Sequence, residues 1–200
     1  MKQKIAITGG IGSGKSIVGK ILQEKGHTVY SCDEIYKEVI LSRAYIDEVR
    51  IKFPSCIENG EINRKLLATI VFNDPQKLNQ LNQIAHPLIM KKLNEYMDTC
   101  KDSIVFAEVP LLFECGYEHL FDRILVVQRT QSDRVKAIMK RDTLSKEEIL
   151  ARMDTQFPYN TPEGEKHIQE IHAYQIFNNG TIDALKSQID TFLNTFVLQL

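Results

Sequence analysis

The sequence predicts an α/β protein built on a doubly wound parallel sheet. Short apolar segments alternate with helical patterns along the 200 residues, and this is the order of βαβ units. Two of the segments, 103–107 and 124–127, are almost continuously apolar, as strands covered by helices on both faces are. A glycine-rich loop, 9–16, separates the first apolar segment from the first helical pattern. Ligands of such sheets bind at the carboxyl ends of the strands, where this loop is expected to lie.

The N-terminal part of the chain is predicted to contain two strands and two helices. Residues 4–8 form the first strand, and the helix over 15–25 ends before Gly26, a residue type favoured just after a helix. The second strand, 27–30, leads to Asp33, which is placed to cap the helix that follows.

The middle of the chain is helical in pattern. Residues 44–100 contain no strong strand, and Asn59-Gly60 marks a turn. Asp74-Pro75 combines an N-cap residue with proline at the first helical position, and an apolar stripe at helical spacing follows it.

The C-terminal part returns to the α/β order after a polar segment. Beyond residue 128 the chain is polar and basic to about residue 160. Within this segment, Ser145 and Glu148 have the spacing of a capping box that opens a helix. A weak strand near 173–177 precedes a last helix with one apolar face.

The bulk composition excludes several classes of protein. The hydrophobic share of 43% supports a packed core, and a net charge of −1 gives no general attraction to nucleic acid or anionic membranes. The widely spaced cysteines form no C-x-x-C pair, which argues against a zinc or redox site. No apolar run approaches the ~18 residues that span a bilayer, and the first strand leaves no room for a signal peptide. We expect a soluble, cytoplasmic protein.

The loop at 9–16 matches the phosphate-binding pattern G-x-x-x-x-G-K-[S/T]. It reads Gly9-Gly10-Ile11-Gly12-Ser13-Gly14-Lys15-Ser16. Its glycines let the backbone curl so that successive N–H groups point at phosphates, and the helix after it adds the positive end of its dipole. Lys15 would reach the β- and γ-phosphates, and the Ser16 hydroxyl would ligate Mg²⁺. The sequence therefore predicts a nucleoside triphosphate site.

Two carboxylates follow predicted strands and are candidates for the chemistry. Asp33 follows the second strand and could orient or deprotonate an attacking hydroxyl; the alternative is that it only caps a helix. Glu108 ends an apolar strand, where P-loop proteins place a carboxylate near Mg²⁺ or its waters; the alternative is a glutamate in a surface turn. The residues alone leave both alternatives open.

The polar segment concentrates positive charge. Arg134 and Arg141 are seven residues apart, so that a helix over 131–141 carries both on one face, and Lys136 and Lys140 add to the charge. Such a segment suits a lid that closes over ATP and stabilises charge on the transferring phosphoryl group. The alternative, a solvated basic face, stays open on the residues alone.

Several segments of the chain match one enzyme family in order and spacing. They are Ile5 to Ser16, Cys32-Asp33-Glu34-Ile35, His86-Pro87-Leu88-Ile89, Val109 to Glu114, Asp122 to Val127, Lys140-Arg141-Asp142 and Asn178-Asn179-Gly180. Over nearly the whole chain, this set resembles the dephospho-CoA kinases. The P-loop is common to many families, whereas the His-Pro-Leu-Ile and Pro-Leu-Leu-Phe-Glu blocks at these separations are specific.

The resemblance implies the last step of coenzyme A synthesis, in which ATP phosphorylates the ribose 3′-hydroxyl of dephospho-CoA. It implies a single domain with the P-loop kinase fold, three α/β/α layers on a five-stranded parallel sheet, with ATP and Mg²⁺ as cofactors. The core would comprise about 1–42, 101–130 and 170–200, the helical substrate region about 43–100, and the lid about 131–165. The expected partner is the small-molecule substrate, with no nucleic acid or membrane, in a monomer or weak homo-oligomer.

The resemblance also implies roles for particular residues. Asp33 matches the catalytic aspartate, and Lys15 and Arg141 act on the ATP phosphates. The residues expected to hold ATP are Gly10, Ile11, Gly12, Ser13, Gly14, Lys15, Ser16, Arg141 and Asn178, with Ser16 also on the metal. The residues expected to bind the acceptor are Asp33, His86, Glu108 and Leu111. On the residues alone, His86 reads as a structural histidine.

The chain departs from the family pattern at two places that bear on the site. Ser31 stands where the family commonly has a first aspartate, so Glu108 would matter more for the metal. The segment 157–160 intervenes where an arginine-bearing stretch is usual, which reduces the charge of the lid. The rival hypotheses are a kinase for another small alcohol or nucleoside monophosphate, and a nucleotide-binding sensor without turnover.

Overall fold

The computed structural model describes residues 2–196. The strands are β1 (Gln3–Thr8), β2 (Thr28–Ser31), β3 (Ile57–Glu58), β4 (Glu61–Ile62), β5 (Ile104–Glu108), β6 (Arg123–Gln128) and β7 (Tyr174–Phe177). The helices are α1 (Lys15–Glu24), α2 (Cys32–Val39), α3 (Arg43–Lys52), α4 (Arg64–Phe72), α5 (Pro75–Thr99), α6 (Gln131–Arg141), α7 (Lys146–Asp154), α8 (Pro162–Glu170) and α9 (Ile182–Phe196).

A five-stranded parallel sheet carries the fold, in the order β2-β5-β1-β6-β7. The central strand β1 pairs in parallel with β5, with Ile7 opposite Glu108, and with β6, with Thr8 opposite Val126. The chain therefore leaves β1 at the point where the strand order divides, which is where doubly wound sheets bind ligands. The predicted fold class is confirmed.

The described chain divides into two compact units. One comprises the residues up to Tyr30 and from Cys100 onward, and the other comprises Ser31–Thr99. In the first unit, apolar side chains of the sheet pack with α1 and α9 into one buried cluster, in which Ile5, Leu125 and Phe192 are each 0% exposed. Burial on this scale is the main favourable contribution to folding.

The second unit consists of α2–α5 and a short hairpin. The hairpin joins β3 to β4 through Asn59 (φ 51°) and Gly60 (φ 81°), the left-handed pair that a two-residue hairpin turn requires. Asn59-Gly60 predicted this turn, but no pattern in the sequence predicted the strands beside it. Glu38 links α2 to α5, because its carboxylate accepts hydrogen bonds from Lys92 (2.7 Å) and Tyr96 (2.6 Å).

The helix boundaries follow the local signals in the sequence. Asp74 caps α5 by accepting from the N–H groups of Gln76 and Lys77, and the capping box of Ser145 and Glu148 opens α7. One cap prediction was wrong: the N-cap of α2 is Ser31, and Asp33 lies inside the first turn. Among residues 2–196, no helix is both long enough and apolar enough to cross a bilayer.

Gly26 ends α1 in a left-handed conformation (φ 88°), and a Cβ added there would meet nothing within 4 Å. We therefore expect Gly26→Ala to lower the free energy of unfolding by about 1 kcal/mol through backbone strain alone. Urea denaturation would measure this change. Gly180→Ala is the matched control, because Gly180 has no such φ and its nearest contact is Ala184 at 3.8 Å. Equal stabilities of the two variants would contradict the prediction.

Candidate active site

The glycine-rich loop follows β1 directly and leads into α1. Gly12 (φ 77°) and Gly14 (φ 99°) adopt backbone conformations that other residues rarely take. Gly14 is also the N-cap of α1, and it has no side chain with which to cap the helix. The positive end of the helix dipole is therefore directed at the loop, the arrangement that binds phosphate.

Lys15 and Ser13 supply side-chain donors at the loop. The Lys15 ammonium lies 2.7 Å from the Gly9 carbonyl oxygen and 3.2 Å from that of Gly10. The Ser13 hydroxyl is buried and has no hydrogen-bond partner among the described residues, so it has a hydrogen bond left to donate. Ser16 is exposed in the first turn of α1. This donor set fits an anion such as a polyphosphate.

Three successive carbonyl oxygens of the loop are held by side chains from outside it. The Ile11 oxygen accepts from Nε of Arg134 at 2.8 Å. The Gly12 oxygen accepts from Arg129 at 3.3 Å, and the Ser13 oxygen accepts from Nδ2 of Asn178 at 2.8 Å. Because these carbonyls are bound to donors outside the loop, their negative ends are kept away from a bound phosphate.

Arg134 is buried, with 6% of its surface exposed, and its guanidinium leaves no room for a Cβ on Gly10. Burial lowers the pKa of Arg134, but a guanidinium still carries its charge at neutral pH. Arg141, at the end of the same helix, is exposed and binds Asp142 at 2.8 Å. The two arginines that the sequence placed together in a lid therefore have different surroundings.

Gln156 binds the preceding peptide group, Gly10–Ile11. Its Oε1 accepts from the Ile11 N–H at 2.7 Å and from Nη2 of Arg134 at 3.4 Å. Gln156 follows the end of α7, so this contact joins the polar segment to the phosphate loop.

The segment 157–160, where the chain departs from the family pattern, packs beneath the loop. The hydroxyl of Tyr159 lies 3.1 Å from Oγ1 of Thr8, and burial raises the pKa of this phenol. The Phe157 ring packs on Phe113, with ring centroids 4.5 Å apart, and its N–H donates to Glu114 at 2.8 Å. This segment therefore supplies apolar support to the loop and no charge.

Glu108 ends β5, in register with Ile7 on the strand that leads into the phosphate loop. Its carboxylate oxygen packs so closely on α1 that a Cβ on Gly19 would collide with it. Leu111 follows in the next turn and is half-buried. Glu108 is thus held against α1, the helix that follows the loop, and its role at the metal or the acceptor stays a prediction.

Asp33 and His86 belong to the helical unit. Asp33 is exposed in the first turn of α2, as a group that meets a substrate must be. His86 is half-buried in α5, and burial lowers its pKa, which favours the neutral imidazole. The roles implied for these two residues stay predictions.

The sequence analysis missed three residues that shape the loop: Arg129, Gln156 and Tyr159. Arg129 comes directly after β6. Its position just after a strand is the same signal that marked Asp33 and Glu108, but that signal was read only for carboxylates. Gln156 and Tyr159 have no local pattern, because their partners Ile11 and Thr8 lie more than 140 residues away in the sequence.

The sheet order and the phosphate loop after its central strand define the class, and the chain is a P-loop kinase in fold. The structure of shikimate kinase from Acinetobacter baumannii is similar to this one with a TM-score of 0.56, and the match covers 100% of this chain and 96% of that one. At 10% identity, this is a likeness of fold alone.

The chain belongs to the dephospho-CoA kinase family, whose model matches residues 3–183. The dephospho-CoA kinase of Thermus thermophilus is 33% identical over 189 residues, which are 94% of this chain and 89% of that protein. The structure of the dephospho-CoA kinase from Campylobacter jejuni has a TM-score of 0.69 at 27% identity, and the match covers 100% of this chain and 99% of that one.

Because Asn178 holds the Ser13 carbonyl, we expect Asn178→Asp to raise the dissociation constant of MgATP about tenfold. The new carboxylate would face a carbonyl oxygen, and both acceptors would lose their donor. Isothermal titration calorimetry would measure the affinity. Asn179→Asp is the control, since its side-chain oxygen can still accept from Thr130 N–H, now 2.9 Å away. The role of Asn178 is refuted if both variants bind MgATP like the wild type.

Proposed function

We propose that the protein transfers the γ-phosphoryl group of ATP to the ribose 3′-hydroxyl of dephospho-CoA. The observation that carries this proposal is the family match, which runs through the core, the helical unit and the polar segment. The phosphate loop alone supports a triphosphate donor and leaves the acceptor undefined. The products are coenzyme A and ADP.

On the donor side, the loop from Gly10 to Ser16 and Asn178 hold the triphosphate. Lys15 leaves the Gly9 and Gly10 carbonyls for the β- and γ-phosphates, which are stronger acceptors. Arg141 leaves Asp142 to neutralise charge on the transferring group. These residues need only local rearrangement, since both cations are on side chains with several rotatable bonds.

We also propose Mg²⁺ as the metal, with the Ser16 hydroxyl as its protein ligand and Glu108 near its waters. No group of three or more His, Cys, Asp or Glu side chains within residues 2–196 is arranged to hold a metal. The donor set nevertheless fits Mg²⁺, which in nucleotide sites binds through phosphates, waters and one or two protein oxygens. When bound, the ion would supply positive charge that stabilises the triphosphate during transfer.

On the acceptor side, we propose that Asp33 orients the 3′-hydroxyl and accepts its proton. The bond from the γ-phosphorus to the β–γ bridging oxygen breaks as the bond to the 3′-oxygen forms. His86, Glu108 and Leu111 would bind the acceptor. Positioning and electrostatic stabilisation account for most of the rate in this chemistry.

The helical unit supports the assignment of residues 43–100 as a substrate region. It contains a cavity of about 530 Å³, large enough for part of a small-molecule ligand. Its wall is mostly apolar, with Tyr45, Leu67 and Val71 among the lining residues, and Arg64 contributes a positive charge. We further propose that the protein acts in the cytoplasm as a monomer or weak homo-oligomer, without a nucleic-acid partner, in keeping with its net charge of −1.

A coupled ADP-release assay tests the acceptor. With MgATP, we expect turnover with dephospho-CoA and none above background with adenosine monophosphate or shikimate. Phosphorus NMR of the product would locate the new phosphate on the 3′-oxygen. Turnover with another acceptor alone would make the protein a different kinase, and MgATP binding without any turnover would make it a sensor.

The role of Asp33 is tested by Asp33→Asn, which keeps the size and removes the base. We expect kcat to fall about 10²-fold or more, as the loss of a positioned base typically causes. Glu34→Gln is the matched control, because Glu34 is the exposed neighbour that pairs with Lys37 on the surface. Near wild-type kcat in Asp33→Asn would exclude Asp33 as the base.

A further inference from the structure

The backbone N–H and carbonyl of Ile11, which belong to two successive peptide groups, are both held by side chains, in a set of contacts that neither the family match nor the proposed mechanism uses. Arg134 donates to the Ile11 carbonyl oxygen at 2.8 Å, and Gln156 accepts from the Ile11 N–H at 2.7 Å. The same Gln156 oxygen accepts from Arg134 at 3.4 Å. We call these two side chains and the Ile11 backbone the Ile11 clamp.

We propose that Gln156 is a positioning residue for the donor triphosphate, and that it acts through the Ile11 clamp. The proposal rests on the proposed function only in that the loop binds ATP. Gln156 touches neither the acceptor nor the reacting atoms. It fixes the Gly10–Ile11 peptide through the Ile11 N–H, while Arg134 fixes the next peptide, Ile11–Gly12, through the Ile11 carbonyl. The two contacts together set the backbone at Ile11 and so the direction of the N–H groups that follow.

The clamp is built to hold one orientation. An amide oxygen that receives two donors, one of them charged, is held more strongly than an ordinary surface glutamine. Arg134 is 6% exposed, and Gln156 and Ile11 are half-buried. The hydrogen bonds of the clamp are therefore partly shielded from water, and in such surroundings each bond is stronger and each unpaired group costs more. A flip of the Gly10–Ile11 peptide would turn the Gly10 carbonyl toward the Gln156 oxygen, and a flip of the Ile11–Gly12 peptide would turn the Gly12 N–H toward the buried Arg134 guanidinium.

The clamp also ties the triphosphate site to the polar segment. Gln156 lies two residues beyond the end of α7, and its neighbour Phe157 is bound to Glu114. Arg134 is on α6, and its guanidinium packs against Gly10. The shape of the loop therefore depends on the positions of α6 and α7. ATP should bind tightly only when the end of α7 is in place.

The test compares Gln156→Leu, Gln156→Glu and the control Gln169→Leu. Leucine keeps the approximate size of glutamine but cannot accept the Ile11 N–H or the Arg134 donor. Glutamate keeps an acceptor for both. Gln169 is an exposed glutamine on α8, outside the proposed machinery, and its change controls for the added apolar side chain.

We expect Gln156→Leu to raise the KM for ATP and the calorimetric dissociation constant of MgATP about tenfold. The KM for dephospho-CoA should not change. Gln156→Glu should recover ATP affinity to within about threefold of the wild type. Gln169→Leu should bind ATP with the affinity of the wild type. Amide exchange measured by NMR should show faster exchange of the Ile11 N–H in Gln156→Leu than in Gln156→Glu.

Wild-type affinity for MgATP in Gln156→Leu would overturn the proposal. So would an equal rise in the KM of both substrates, or a fall in melting temperature with no change in ATP affinity, because either indicates a purely structural role. The calorimetric and exchange measurements need no acceptor. If the wild type fails to phosphorylate dephospho-CoA, the proposed function fails, and these two measurements still decide the role of Gln156.

Discussion

The active site depends on how the carbonyl oxygens of residues 11–13 are held. Arg134, Arg129 and Asn178 bind them from outside the loop. In a planar trans peptide, the N–H of the next residue points opposite to the carbonyl, and the described chain has no cis peptide. Holding the Ile11 and Ser13 carbonyls outward therefore turns the N–H groups of Gly12 and Gly14 the other way, toward a bound anion.

The sheet order makes this arrangement possible. Because β6 and β7 succeed β1 on one side of the sheet, the residues that follow them, Arg129 and Asn178, reach the loop that follows β1. On the other side β5 brings Glu108 to the same edge. The buried cluster of the first unit holds these strands in register. A one-residue slip of β6 would move Arg129 away from Gly12 and turn its side chain to the other face.

Much of the fold could be predicted from the sequence, because the signals for it are local. The phosphate loop, the capping box at Ser145 and the Asp74-Pro75 start are each contained within a few residues. The β3–β4 hairpin was missed because two-residue strands have no periodicity to read. The contacts of Gln156 with Ile11 and of Tyr159 with Thr8 were missed for another reason: each joins residues more than 140 positions apart, and only the packed structure brings them together.

The segment 157–160 changes how charge is distributed at the site. Tyr159 supports the start of the loop as a buried, neutral phenol. The guanidinium of Arg134 is bound to the Ile11 carbonyl, so its charge is directed at the loop backbone. The other two arginines within 131–165, Arg141 and Arg152, are exposed and are not bound to the loop. Both lower the pKa of Asp142, Arg141 chiefly through its hydrogen bond and Arg152 through its charge. Under the proposed function, these are the arginines of the segment that are left to join Lys15 at the γ-phosphate, which offers more negative charge than a single carboxylate.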